Sequence, residues 1–223
     1  MFKDSNTFVS SSFPKHAKYK PSGVDWLGEV PEHWHRHRLK KFLSVSKTLV
    51  GRDWEEYDLL SLTLNGVILR DMENPEGKFP SDFSTYQVVK PGQLILCLFD
   101  VEETPRTVGL SGHHGMITGA YDVFDLLHIH AQFFYYWYLS LDQHKNLRSL
   151  YRGLRNTISM ARLQAMDIFL PDLRQQQAIA EFLDSKTKEI EEAKSNIQVQ
   201  IDFLKEYKDS LNESAVTGKI KVA

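Results

Sequence analysis

Apolar residues recur at a strict spacing of seven in the last quarter of the chain, with a second row four residues earlier. These positions are Leu183, Ile190, Ile197, Leu204 and Leu211, and Ile179, Ala193 and Tyr207. Such spacing places one apolar stripe along a helix. Neither Pro nor Gly interrupts it, Asp172 suits the first turn as a cap, and Gly218 suits the end. The pattern predicts one helix of about 43 residues, roughly 65 Å long at 1.5 Å per residue.

A helix of this length with a narrow seven-residue stripe needs a second helix beside it, as in a coiled coil. No other stretch of the sequence has the length and periodicity to be that second helix. The sequence therefore predicts that the partner helix comes from another subunit, and that the eight apolar positions form the interface.

Two hairpins are predicted ahead of the helix. Residues 57–69 alternate around Asn65-Gly66, which predicts strand, turn and strand. Residues 86–89, a turn at 90–92 and the apolar run 93–99 predict a second hairpin. The polar stretch 70–84 between them is typical of a surface loop.

The segment that follows mixes strand and helix. Residues 119–124 predict a strand, residues 131–141 an aromatic-rich helix packed in the core, and Ser159 the start of another helix. Residues 19–34 hold two Trp between Gly and Pro turns and are interpreted as an irregular segment anchored by its aromatics. Together these elements predict an α/β (α+β) domain followed by the long helix.

Length and composition support one domain with one arm. The 223 residues divide into a flexible leader over 1–18, a globular domain over 19–169, the helix over 170–217 and a tail over 218–223. The single cysteine, Cys97, lies in an apolar run and is interpreted as a buried thiol. The N-terminus lacks an apolar signal core, so we expect a soluble, cytoplasmic protein without a membrane contact.

Charge is distributed unevenly although the net charge is only −2. Residues 1–50 carry nine Lys and Arg against four Asp and Glu, residues 51–140 five against thirteen, and residues 141–170 five against two. Two basic blocks therefore flank an acidic middle. If residues 36–52 and 145–162 meet in the fold, they form a positive face that suits nucleic acid.

The second basic block has the composition of a phosphate- and base-binding segment. Within residues 148–162, four arginines and several small hydroxyl side chains surround Gly153. The alternative is a solvated loop that leads into the helix starting near Ser159. Contact with nucleic acid is the interpretation we favour.

The sequence contains no recognisable catalytic motif. The sequence has no Gly-rich phosphate loop followed by Lys-Ser/Thr and no dinucleotide-type Gly cluster. His33, His35 and His37 alternate, but no Cys or Asp lies near them in the sequence, so a metal site is disfavoured. The sequence predicts no catalytic residues, no cofactor and no metal. One rival is an enzyme with an unrecognised site in the acidic middle, around Asp53, Glu55, Glu56 and Asp58.

Three separated blocks resemble one family, the specificity subunits of type I restriction-modification systems. Residues 19–34, YKPSGVDWLGEVPEHW, are similar to the phrase that opens its target recognition domain. Residues 170–184, LPDLRQQQAIAEFLD, are similar to the phrase that opens its long spacer helix. Residues 215–220, AVTGKI, are similar to the phrase that closes that helix. The three blocks occur in the family's order and bracket about 200 residues.

The resemblance implies a DNA-binding subunit without catalytic activity. Family members usually carry two recognition domains and two antiparallel helices, whereas this sequence shows one of each, a half-length form. A homodimer rebuilds the full arrangement and implies a bipartite, inverted target in double-stranded DNA. The family also implies methyltransferase (modification) subunits and a restriction/translocase subunit as partners. A second rival is half of a split specificity subunit that pairs with a different half.

The candidate DNA contacts come from both basic blocks and from polar loops between them. They are Lys47, Arg52, Arg106, His113, His114, Arg148, Arg152, Arg155, Asn156 and Arg162. Base readers cannot be separated from phosphate binders by sequence.

Overall fold

The computed structural model describes residues 13–71 and 82–222 of the chain. The predicted leader over 1–18 and the predicted surface loop over 70–84 lie mainly outside these residues. The chain divides into two compact units, one up to Gln177 and one from Ala178 onward. The first unit contains the strands and two of the helices.

Twelve short strands and three α-helices lie within the described residues. The strands are β1 (Tyr19–Pro21), β2 (Glu29–Pro31), β3 (His35–Arg38), β4 (Leu43–Ser46), β5 (Leu60–Thr63), β6 (Gly66–Leu69), β7 (Gln87–Val89), β8 (Leu94–Leu96), β9 (Val108–Leu110), β10 (Gly115–Ile117), β11 (Asp122–Leu126) and β12 (Asp167–Leu170). The helices are α1 (Ala131–Gln143), α2 (Met160–Ala165) and α3 (Leu173–Val216). The predicted mixed domain followed by a long helix is confirmed.

The largest sheet in the described part of the chain is antiparallel, with the order β4-β11-β8-β9. Strand β8 lies inside it and has no exposed side chain. This explains its uninterrupted apolar sequence, because a strand covered on both faces does not alternate. Cys97, directly after β8, is buried as predicted.

The second predicted hairpin is wrong. Strands β7 and β8 follow one another across the turn at residues 90–92, but they do not pair. Strand β7 pairs with β10, Met116 opposite Val88, whereas β8 pairs with β9 and β11. Both strands are fully buried, so their sequences suit any central position in a sheet.

The first predicted hairpin is confirmed as β5 and β6, with the turn one residue earlier than expected, at Leu64 and Asn65. This hairpin packs against β9 where β9 has a glycine. A Cβ at Gly109 would lie 2.6 Å from side-chain atoms of both Leu62 and Val67. The close approach of the hairpin therefore requires glycine at this position.

The segment over residues 19–34 is more regular than predicted. It forms the two-stranded β1–β2 ladder, in which Tyr19 lies opposite Pro31. Trp34 is half-buried and its ring meets that of Phe133 edge-on, with the ring centroids 6.5 Å apart. Anchoring by an aromatic side chain, as predicted, is therefore observed for Trp34.

Helix α1 contributes aromatic side chains to the core, as its sequence predicts. Phe133, Phe134 and Tyr138 are buried, and the His130 side chain accepts a hydrogen bond from the Phe133 N–H at the start of the helix. The other aromatic residues of α1 are only partly covered.

Helix α3 spans 44 residues, which corresponds to about 66 Å at 1.5 Å per residue. The Asp172 carboxylate accepts a hydrogen bond from the Gln175 N–H at 2.8 Å, and Gly218 adopts a positive φ of 73° beyond the end. Both predicted ends are confirmed. Among the described residues, no helix is long and apolar enough to cross a membrane.

A buried ion pair joins α1 to the loops beside it. The Asp142 side chain is fully buried and its Oδ2 accepts a hydrogen bond from the Thr107 N–H at 2.8 Å. Lys145 follows α1 with a positive φ of 51°. Its Nζ lies 3.3 Å from Asp142 Oδ1 and donates to the carbonyls of Val101 and Thr104 at 2.9 and 2.8 Å. One ammonium group thus holds the backbone of residues 101–104.

We predict that Lys145→Met lowers the free energy of unfolding by about 3 kcal/mol, because it leaves the buried Asp142 carboxylate without its cation. Urea unfolding followed by tryptophan fluorescence measures the change. Lys90→Met, at an exposed position, is the matched control and is expected to change stability by less than about 0.5 kcal/mol. Equal stability of the two variants would contradict this role of Lys145.

Candidate nucleic-acid interface

The basic block between α1 and α2 forms a tight turn, which we call the basic turn (residues 148–157). It begins with a single 3-10 turn, Arg148–Leu150. Arg152 and Thr157 then pair as an isolated antiparallel bridge, with both N–H groups donating to the opposite carbonyl at 3.0 Å. Gly153 and Asn156 take positive φ values of 70° and 42°, which glycine and asparagine adopt more readily than other residues.

Carboxylates face the basic turn from the loop after β8, which we call the acidic loop (residues 100–104). Arg155 Nε donates to Asp100 Oδ1 at 3.0 Å. Arg148 Nε lies 3.1 and 3.0 Å from the Oε1 and Oε2 atoms of Glu102, and Oε1 also accepts a hydrogen bond from Arg148 Nη2. Asn156 Nδ2 donates to Glu103 Oε1 at 2.8 Å. Each paired carboxylate thus fixes one polar side chain of the turn.

These pairs are charge-assisted and exposed. The hydrogen bond from Arg155 holds the pKa of the Asp100 carboxyl below its usual range, and that from Arg148 does the same for the pKa of Glu102. Arg155 also lies over the Phe99 ring, with its guanidinium carbon 5.0 Å from the ring centroid. The guanidinium groups are therefore oriented before any partner binds.

Arg152 is placed differently from its neighbours. It is exposed, and its Nη1 donates to the Tyr151 carbonyl at 2.9 Å, a neutral acceptor. Because this contact leaves the positive charge uncompensated, Arg152 is well placed to attract phosphate.

A cleft of about 550 Å³ lies beside the basic turn. Its lining combines apolar side chains with Lys47, Asp122 and Thr157. Burial raises the pKa of the Asp122 carboxyl, and the charge of Lys47 opposes that shift. Lys47, from the first basic block, therefore meets the second block at this cleft. The predicted meeting of the two basic segments is therefore observed in part, at Lys47 and Thr157.

Other members of the first basic block point elsewhere. Arg36 and Arg38, on β3, both pair with Asp167 on β12, with Arg38 Nη1 3.2 Å from Asp167 Oδ1. These two arginines support the β3–β12 ladder. The predicted positive face is therefore narrower than the whole of residues 36–52.

The remaining predicted contacts lie on separate elements. Arg52 is exposed on the 3-10 helix Gly51–Glu56, and Arg106 donates to the Tyr135 hydroxyl at 3.1 Å. His113 and His114 follow β9, with the His114 ring 5.5 Å from the Tyr57 ring. Arg162 lies on α2, whose first turn is capped by Ser159 as predicted. The roles of all these residues in DNA binding stay predictions.

Sequence reasoning missed two features of this surface. The first is the acidic loop. Asp100, Glu102 and Glu103 lie close together in the sequence, but they contributed only to the predicted acidic charge of the middle segment and not to the predicted site. The sequence also predicted no role for Leu154, the apolar residue between Gly153 and Arg155 at the tip of the basic turn. Within the described residues, no group of three or more His, Cys, Asp or Glu side chains is placed to hold a metal ion.

Comparison with known proteins finds a family similarity over part of the chain. Residues 120–200 match the family model of the type I restriction modification DNA specificity domain. The matched region contains α1, the basic turn, α2, β12 and more than half of α3. The resemblance predicted from the three sequence blocks is confirmed as a similarity to this specificity domain over residues 120–200. No curated protein matches the sequence.

Two solved structures share the fold. One is from a study of complex assembly and conformational transition of the type I restriction-modification system, with a TM-score of 0.56 and 14% identity over 94% of this chain. The other is the S subunit of a type I restriction-modification system from M. genitalium, with a TM-score of 0.50 and 16% identity over 83% of this chain. The matches cover 50% and 48% of those chains, so this chain spans about half their length.

We predict that Glu102→Gln strengthens non-specific binding to duplex DNA, because it frees the Arg148 guanidinium for a phosphate. The plot of log affinity against log salt concentration should become steeper by about 0.9, the value for one added phosphate contact. Fluorescence anisotropy with a labelled random-sequence duplex measures both quantities.

Glu206→Gln removes the same charge from α3 and serves as the matched control. An identical salt dependence in the two variants would show that Arg148 does not reach a phosphate after release.

Proposed function

We propose that the chain is a non-catalytic DNA specificity subunit of a type I restriction-modification complex and that it acts as a homodimer. The observation that carries the proposal is the family match across the basic turn and α3. The first unit reads DNA through the basic turn and neighbouring polar loops. Helix α3 joins two copies. Chemistry on the DNA belongs to partner subunits.

The surface of α3 supports the dimer. Ile190, Ile197 and Leu204, three members of the predicted stripe, are 59, 55 and 62% exposed. Apolar side chains this exposed along one helix face form a surface that favours burial against a partner. A second copy offers the same stripe, and a two-fold axis makes the two stripes complementary when the helices run antiparallel.

Helix α3 also carries exposed apolar side chains outside the stripe predicted from the sequence. Val199 and Phe203 are 66 and 67% exposed. Phe203 lies one turn before Tyr207, and Val199 one turn before Phe203, so this row runs away from the stripe toward the face of Ser195. A two-helix seam buries a narrow row, so these side chains remain available for a further protein. We assign them to contacts with a methyltransferase subunit, in accord with the complex assembly named for the similar type I system.

Two copies in this arrangement read a bipartite site. Each basic turn contacts one short half-site, and the dimer axis inverts one half-site relative to the other. A helix of about 66 Å corresponds to about two turns of duplex DNA at ~34 Å each. The bases between the half-sites are spanned without being read. The restriction/translocase subunit then joins the complex formed with the methyltransferase subunits.

We predict that Ile197→Asp yields a folded monomer, because two carboxylates cannot be buried at the centre of an apolar seam. Analytical ultracentrifugation gives the mass, and circular dichroism confirms the fold. Ser195→Asp introduces the same charge on the opposite, exposed face of α3 and should leave the dimer intact.

A dimeric Ile197→Asp variant would refute the role of the seam. A wild-type chain that is monomeric at all concentrations would instead favour pairing with a different half-subunit.

We predict that nuclease footprinting of the dimer shows two protected half-sites of identical sequence in inverted orientation. Mapping of methylated bases in host DNA should give the same symmetric motif when the methyltransferase subunit is present. An asymmetric motif is the result expected for two unlike halves and would contradict the homodimer. DNA cleavage by the isolated chain in the presence of a divalent metal would contradict a non-catalytic role.

A further inference from the structure

Leu154 lies at the tip of the basic turn and touches nothing around it. Its exposure is 104% of the reference value, the highest among the exposed large apolar residues of the described chain. A single exposed leucine on a mobile loop needs no explanation. This one differs because the turn that carries it is held in place from several sides.

Backbone hydrogen bonds attach the turn to the strand and loop beside it. The Asp100 N–H donates to the Arg155 carbonyl at 2.7 Å, and the Ile158 N–H donates to the Leu98 carbonyl at 2.8 Å. The side-chain contacts from Arg155 to Asp100 and from Asn156 to Glu103 also attach the turn to the acidic loop. These contacts therefore fix the position of Leu154 while its side chain stays exposed to water.

The width of the basic turn determines which groove of B-DNA it can enter. Two backbone segments, joined by the single bridge between Arg152 and Thr157, give the turn the width of a two-stranded hairpin. The major groove of B-DNA, about 12 Å wide, admits a two-stranded ribbon, whereas the minor groove is only about 6 Å wide. The tip of the turn thus fits the major groove.

In the major groove, an apolar side chain has one apolar partner on the standard base edges, the 5-methyl group of thymine. Arg152, on one side of Leu154, is available for a phosphate, whereas Asn156, on the other side, donates to Glu103 and holds the turn in place. Asp100 and Glu102 already balance the charges of Arg155 and Arg148, so general attraction to phosphate does not dominate at the tip.

We propose that Leu154 is a specificity-determining residue that packs against the 5-methyl group of a thymine in each half-site. This inference rests on the proposed function as a DNA reader. It goes further in naming the residue, the groove and the base that it selects.

The test uses the full chain and duplexes that it enriches from a random-sequence pool. Each thymine of an enriched duplex is replaced in turn by deoxyuridine, which lacks only the 5-methyl group. We expect about four-fold weaker binding at one thymine in each half-site, the effect of losing one buried methyl group. Leu154→Ala should bind the original duplex more weakly and lose this sensitivity to deoxyuridine.

Leu127→Ala is the matched control, because Leu127 is exposed and follows β11 at the end remote from Asp122 and the cleft. It should keep both the affinity and the sensitivity of the wild-type chain. The proposal is refuted if deoxyuridine has no effect at any thymine, or if Leu154→Ala remains as sensitive as the wild type. If Leu154→Ala binds DNA more weakly although either of these refuting results is found, the Leu154 side chain inserts between base pairs and does not pack against a methyl group. A chain that enriches no duplex would refute the proposed function itself, so the two failures are distinguishable.

Discussion

The contact between Lys145 and Asp142 is the constraint on which the positions of the acidic loop and the basic turn depend. One buried carboxylate holds the start of β9 through Thr107, and one ammonium group holds the carbonyls of Val101 and Thr104. The acidic loop takes its position from this contact, and the basic turn takes its position from the acidic loop. The core is therefore connected to the tip of the basic turn through a series of polar contacts.

For the proposed DNA-binding role, the paired charges suit a protein with a net charge of −2 that selects among DNA sequences. Free arginines bind any phosphate and raise affinity for all sequences alike. Arginines held by carboxylates give up part of that attraction, because release or reorientation costs the existing hydrogen bonds. In the function we propose, this arrangement lowers the non-specific binding against which a correct half-site must compete. The acidic middle of the sequence would then contribute to recognition, although its charge has the same sign as that of DNA.

Local signals explain which parts of the fold were predictable from the sequence. Helix α3 has its period, its Asp172 cap and its Gly218 end within one continuous stretch, so all three could be read directly. The pairing of β7 with β10 could not, because buried strands carry no mark of their neighbour. The basic turn was found by composition, whereas its carboxylate partners lie about 50 residues away in sequence and became visible only in the fold.

The complete exposure of Leu154 has a consequence for how such a protein changes over time. The contacts that hold the turn belong to its backbone and to Arg155 and Asn156, so residue 154 adds nothing to the stability of the domain. Most positions that recognise a ligand are also constrained by packing, and their substitution lowers stability. This position is free of that constraint. In the role we propose for Leu154, new DNA preferences are therefore accessible there by single substitutions without loss of folding.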